Sequence, residues 1–291
     1  MEPTLASAHE SVFARRRSFP VFWEALVLCV LFLYIRYLLR FSDNIVLSSP
    51  AVGSGITDIP NFGRFALFNA VTCLIVMVFA RLYSQQPLLA AISLRRFRPV
   101  LLLPIALTVC GLHVLLPEAR NLLHFFLPAY PSYGDLFRKG VQTGNGTLVF
   151  AVVAAPLTEE ALFRGIILGG FRRNYRAGLA VVLTSLLFGV MHLNLWQGIT
   201  AFCLGLLLGW CMLRIGSLWP CIFGHAFSNF LGLAVAVAVG EEYKQLLGGA
   251  SFQPLWLDLI GVLTLVAGIA WLRRATAAHA TAHADKAKGL A

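Results

Sequence analysis

Apolar residues in this chain run in long blocks that show no period-2 alternation. Crossing the hydrocarbon core of a bilayer takes roughly 20 residues of helix. Eight blocks approach that length, at about 20–40, 65–83, 100–117, 148–168, 178–194, 197–213, 219–239 and 255–272. Length without alternation selects helices over the tilted strands of a barrel. The predicted fold class is all-α, a polytopic transmembrane helical bundle of about eight spans.

Between the blocks, the Gly/Ser/Asp/Pro-rich stretch around 42–62 and the segment 118–147 read as loops. The second is led by apolar Leu122–Leu127, a patch suited to lie on the membrane surface. Residues 1–19 form a terminal segment, 20–272 one membrane domain, and the Ala/His/Lys-rich residues 273–291 a flexible tail. No internal repeat divides the domain. His279 and His283 in the tail lack further ligands nearby in sequence and read as incidental.

Composition agrees with the blocks. At 58% hydrophobic and 12% charged residues, the protein is too apolar for a soluble domain of its size. The net charge of +10 is unevenly spread. Arg15, Arg16, Arg17, Arg81, Arg95, Arg96, Arg98, Arg172, Arg173, Arg176, Arg214, Arg273, Arg274, Lys286 and Lys288 fall on one side of alternating spans. Arg36, Arg40, Arg64, Arg120, Arg138, Lys139 and Lys244 fall on the other, together with most of the loop acids. The first side carries roughly twice as many, which places both termini in the cytoplasm by the positive-inside rule. The charge therefore marks topology and contact with the lipid bilayer, and it points to no nucleic acid partner. The first span is long and lacks a small-residue cleavage site, so it reads as a retained helix, not a signal peptide. All six cysteines lie in or beside apolar spans, where they serve as small buried hydrophobes, not as a disulfide framework.

One block departs from this pattern. Glu159 and Glu160 sit inside the fourth span, where an ionisable group is costly unless partners or a cavity relieve it. Pro156 precedes them and removes a helix hydrogen bond, leaving polar backbone beside the carboxylates. Glu160 and Arg164 are four residues apart and share a face, so they pair within the helix, while Glu159 points about 100° away and is free to meet something else. Phe188 and His192 repeat the i,i+4 spacing in the fifth span, and His225 and Asn229 in the seventh. Polar groups on three apolar helices are best satisfied by one another around a hydrated cavity. His113 in the third span has no polar companion at helix spacing and reads as a packing residue.

A carboxylate and an imidazole together hold and deprotonate a water, and a second imidazole with an amide donates to an oxyanion. This is a constellation for peptide hydrolysis. Glu159, His192 and His225 equally match a two-imidazole, one-carboxylate zinc set, although the soluble HExxH signature is absent. Spacing leaves both schemes open. A proton-coupled transporter or a scaffold is the non-proteolytic alternative, against which stands the confinement of buried polarity to one half of the sequence.

Glu159-Glu160-Ala-Leu-Phe-Arg164 resembles the EExxxR motif of the CAAX-processing and bacteriocin-processing (CPBP or Abi) intramembrane endopeptidases. Phe188-Gly-Val-Met-His192 is similar to that family's FxxxH motif and His225-Ala-Phe-Ser-Asn229 to its HxxxN motif, in the same order, over about 145–240. The resemblance implies an endopeptidase with Glu159 as base, His192 as its partner in activating water, and His225 and Asn229 stabilising the oxyanion. Glu160, Arg164 and Phe188 would shape the site. It implies a mechanism with no cofactor, zinc being the alternative. The implied substrate is a membrane-associated peptide or protein, in the inner membrane of a bacterium. Depth alone fits poorly: counted along the predicted spans, Glu159 and His225 lie about 9–14 Å from the cytoplasmic ends but His192 about 20 Å.

Overall fold

The computed structural model describes residues 19–48, 61–84, 92–124, 126, 149–239 and 252–288. Among them are eight helices and no strand. They are α1 (Phe22–Ser48), α2 (Asn61–Ser84), α3 (Leu102–His124, entered through a 3-10 turn at Pro99–Leu101), the irregular α4 (150–174), α5 (Ala177–Val190), α6 (Leu195–Ile215), α7 (Trp219–Val239) and α8 (Leu255–Lys288). Among the described residues, four stretches are long and apolar enough to cross a membrane: Phe22–Leu39, Pro99–Leu123, Leu195–Ile215 and Leu255–Ala277. Leu67–Tyr83 and Ala177–Val190 are shorter apolar helices. The molecule is an all-α, multi-span membrane bundle.

Several boundaries differ from the sequence pattern. Helix α1 runs on to Ser48, into the stretch expected to be loop, because polar residues at a helix end do not by themselves stop it. Helix α4 continues past 168 to Asn174, and α8 continues past Arg274 to Lys288, into the segment whose composition predicts disorder. That last stretch is rich in alanine, the strongest helix former. The expected loop residues 49–60 and 127–148, together with residues 1–18, lie outside the described residues.

Two buried clusters hold the bundle. Leu28 and Phe32 of α1, Val76 of α2, Phe163 and Phe171 of α4 and Phe188 of α5 belong to one; Ile105 of α3, Leu208 of α6, Cys221 of α7 and Leu272 of α8 belong to the other. Outward faces are apolar too, as lipid contact requires: Trp23, Val27, Val30, Tyr34 and Tyr37 form an exposed stripe on α1, and Trp256, Leu259, Leu263 and Val266 another on α8. Helices α5 and α6 form a tight hairpin. A Cβ on Gly189 would meet the Gly198 carbonyl oxygen at 2.8 Å, so glycine alone permits this approach.

The starts of α1 and α5 and the end of α4 are tied at one level. Phe22 N–H donates to Tyr175 Oη at 3.2 Å, Arg173 donates to the Phe19 carbonyl, and Asn174 Nδ2 donates to the Gly170 carbonyl at 2.9 Å and the Pro20 carbonyl at 3.4 Å. Gly170 lets Pro20 lie against α4, where an added Cβ would sit 2.1 Å from Pro20 Cδ.

Candidate active site

Helix α4 is built of alternating windings: a π turn Phe150–Ala154, α-helix Ala155–Glu160, a second π turn Ala161–Ile167 and α-helix Leu168–Asn174. The first π turn follows from Pro156. With i→i+5 bonding, Phe150 O accepts from Ala155 N–H. The next bond in that ladder would need an N–H on residue 156, which proline lacks. Ala151 O is left over, and Asn229 Nδ2 of α7 donates to it at 2.7 Å. The kink signal read from Pro156 is thus a change of winding, and it docks the second member of the His225/Asn229 pair.

Glu160 is fully buried. Its Oε1 accepts from Arg164 Nη1 at 2.8 Å, the i,i+4 pair expected from spacing, and from His225 Nδ1 at 2.9 Å. Glu160 Oε2 has no protein donor among the described residues. The Arg164 guanidinium stacks over the Phe188 ring, 4.5 Å from its centroid, a desolvated cation–π contact worth about 2 kcal/mol. Phe188 in turn meets Phe163, His192 and His225 edge-on at centroid distances of 5.0, 5.1 and 5.5 Å. One aromatic ring therefore braces both imidazoles and the arginine.

Glu159 is half-buried and its charge acts on His192, as does that of His225. His192 sits in the turn between α5 and α6, with Nδ1 2.8 Å from the Phe188 carbonyl oxygen. A carbonyl only accepts, so Nδ1 carries the proton and the neutral ring presents a bare Nε2. The turn is held by Leu193 in left-handed conformation (φ 52°) and by Asn194, whose Oδ1 caps α6 by accepting from Trp196 N–H at 2.9 Å and Gln197 N–H at 3.3 Å. A leucine in that region costs about 1–2 kcal/mol and is the kind of strain found beside working residues.

The depth mismatch between Glu159 and His192 disappears once helix ends are known. From the level at which the ends are tied, Glu159 lies 15 residues before Asn174 and His192 lies 15 residues after Ala177. At 1.5 Å per residue both are about 22 Å along. His225 reaches Glu160 from its own helix regardless. As for zinc, no three His, Cys, Asp or Glu side chains among the described residues converge as ligands for one metal ion. Glu159, His192 and His225 do not fit the zinc set.

Comparison with known proteins falls on the same region. Residues 143–231 match the family model described as type II CAAX prenyl endopeptidase Rce1-like. Over those residues the chain is similar to this CAAX-protease-like family. A 24.3 kDa protein of Escherichia coli, described as uncharacterized, is 37% identical over 113 residues, covering 37% of this chain and 52% of the relative. The match thus spans about half the length of that relative. No solved structure matches this sequence.

Around the CAAX-protease-like segment the structure adds residues that motif spacing does not reveal. Asn69 of α2 donates from Nδ2 to Thr158 Oγ1 at 2.7 Å, and Cys73 Sγ donates to the Thr158 carbonyl at 3.1 Å, so α2 holds the residue preceding Glu159. A buried asparagine in an apolar helix was the available signal. His113, read as a packing residue with no polar companion at helix spacing, has Nε2 2.8 Å from Ser228 Oγ, an interhelical hydrogen bond of the packing kind. Its partner lies 115 residues away, out of reach of any helix-spacing rule.

Proposed function

We propose that this CAAX-protease-like protein is an intramembrane endopeptidase that hydrolyses a peptide bond of a membrane-associated peptide or protein. The observation that carries the reading is the convergence of the three motif pairs on Phe188, with Glu159 acting on His192 beside a buried Glu160–His225 contact. A water held by the Glu159 carboxylate and His192 Nε2 gives its proton to Glu159 while its oxygen bonds to the substrate carbonyl carbon. The carbonyl electrons move to oxygen, and the resulting oxyanion is met by His225 and Asn229. Collapse breaks the C–N bond, and Glu159 returns its proton to the departing amine.

The hydrogen bonds refine two of these roles. Glu160 accepts the Nδ1 proton of His225, so His225 donates an Nε2–H to the oxyanion only when both ring nitrogens carry protons. Asn229 already spends one amide hydrogen on Ala151 O and has its second left for the oxyanion. Glu160 and Arg164 are positioning residues, and Phe188 a brace. The residues support water activation by glutamate and histidine without a metal.

The protein is proposed to span the inner membrane of a bacterium about eight times with both termini cytoplasmic, in line with its basic-residue distribution and its E. coli relative. The test is cleavage of a membrane-peptide library by the purified protein in vesicles, read by mass spectrometry. Glu159→Ala and His192→Ala are each expected to lower turnover by about 10²-fold or more. Equal cleavage by wild type and both variants overturns the proposal. Chelators are expected to leave activity intact; stoichiometric zinc whose removal abolishes it overturns the metal-free scheme.

A further inference from the structure

Arg36 lies within the membrane-crossing stretch Phe22–Leu39 of α1, three residues from its end. Charge counting along the sequence places it on the outer side, at the end of the first predicted span. An arginine inside a span is costly and marks a functional site unless something else explains it. Lipid-facing snorkelling does not. The exposed stripe of α1 runs through Trp23, Val27, Val30, Tyr34 and Tyr37, whereas Leu28 and Phe32 are buried, and Arg36 is the next i+4 step after them. Its half-buried side chain therefore leaves the helix on the bundle side. Neither a hydrogen bond nor an ion pair engages it among the described residues.

Its height is informative. Arg36 is 14 residues beyond Phe22, which is tied to Tyr175 at the level from which α4 and α5 are measured. That is about 21 Å along, against about 22 Å for Glu159 and His192. Burial and the Glu159 charge act on His192 most strongly, and the Arg36 charge adds the smallest influence. A guanidinium with no partner among the described residues thus stands level with the residues proposed to activate water. Glu159 is not its salt-bridge partner.

We propose that Arg36 is an anion anchor of the site and receives a substrate carboxylate lying next to the scissile bond, supplied by an acidic side chain or by a free C-terminus. The planar fork of donors suits a carboxylate, and inside an apolar bundle a matching anion removes the cost of the buried cation. A lipid phosphate would be expected on the membrane-facing stripe, which on α1 is aromatic and aliphatic. The assignment rests on the endopeptidase reading for its description of the ligand as substrate.

The test uses the purified full-length protein in phosphatidylcholine vesicles and two series of short apolar peptides. One series ends in a free carboxylate or an amide; the other carries Glu or Gln at successive internal positions. Binding is measured on Glu159→Ala protein and cleavage on protein with Glu159 intact. The carboxylate form of one series is expected to bind on the order of tenfold tighter than its neutral twin. Adding Arg36→Gln is expected to bring that ratio to about one, and Arg36→Lys to keep part of it, as loss of a charge-assisted contact predicts. The series that responds names the source of the carboxylate.

A ratio near one in the Glu159→Ala protein, a ratio unchanged by Arg36→Gln, or an equal loss of both twins each overturns the assignment. So does a ratio erased by adding phosphatidylglycerol to the vesicles, which would mark a lipid phosphate site. Arg36-dependent binding without cleavage by intact protein overturns the endopeptidase reading and leaves the anchor standing. Cleavage without carboxylate preference does the reverse.

Discussion

Neighbouring glutamates in α4 have unequal surroundings because one helical step turns them apart. Glu160 is fully buried and accepts from both Arg164 and His225, whereas Glu159 is half-buried beside His192. Removing one member of a buried ion pair leaves its partner uncompensated, at about 3–5 kcal/mol. Arg164→Ala should therefore lower the thermal midpoint of the detergent-solubilised protein strongly, since it also strips the stack on Phe188. Glu159→Gln should leave the midpoint near that of wild type while losing turnover. At Leu193, φ is 52°, and glycine occupies that conformation freely. Leu193→Gly should not destabilise the fold, yet should reduce cleavage by loosening the turn that carries His192; paired melting curves and cleavage rates check both halves.

Windings within α4 position these residues more than the helix as a whole does. The π turn before Pro156 leaves Ala151 O to Asn229, and the second π turn contains Arg164. Pro156→Ala supplies the missing N–H, so Asn229 should lose its dedicated acceptor. A fall in turnover that exceeds any change in thermal midpoint is expected, and an unchanged turnover would show that the winding does not matter to the site. Spacing made the i,i+4 pairs legible in sequence, because a polar side chain in an apolar helix has few places to go. It could not reveal the Glu160–His225 contact, where 65 positions separate the partners, nor the one from His113 to Ser228. Arg36 was legible as a charge but not as an inward one, since its place on α1 depends on which stripe meets the bundle.

At the scale of the molecule, the fold class was plain from block length alone, and the end points were not. Composition sets a helix's existence, while tertiary ties such as Phe22 to Tyr175 and Arg173 to Phe19 set where it stops and at what height it stands. Those ties bring Glu159, His192 and Arg36 to one level and turn the predicted depth mismatch into agreement. Because α5 and α6 meet through Gly189 and Gly198, with 2.8 Å from an added Cβ to backbone oxygen, Gly189→Ala must part the hairpin that carries His192. Such backbone overpacking costs about 1–3 kcal/mol, and it should reduce both thermal midpoint and cleavage.

The central claim is that Glu159 activates water while Glu160 holds the site's shape. It is tested most directly by measuring turnover per folded molecule and thermal midpoint on the same vesicle-reconstituted samples of wild type, Glu159→Gln and Glu160→Gln. The expected result is turnover lost by about 10²-fold or more in Glu159→Gln at an unchanged midpoint, with the midpoint itself lowered in Glu160→Gln. Wild-type turnover by folded Glu159→Gln would contradict the claim.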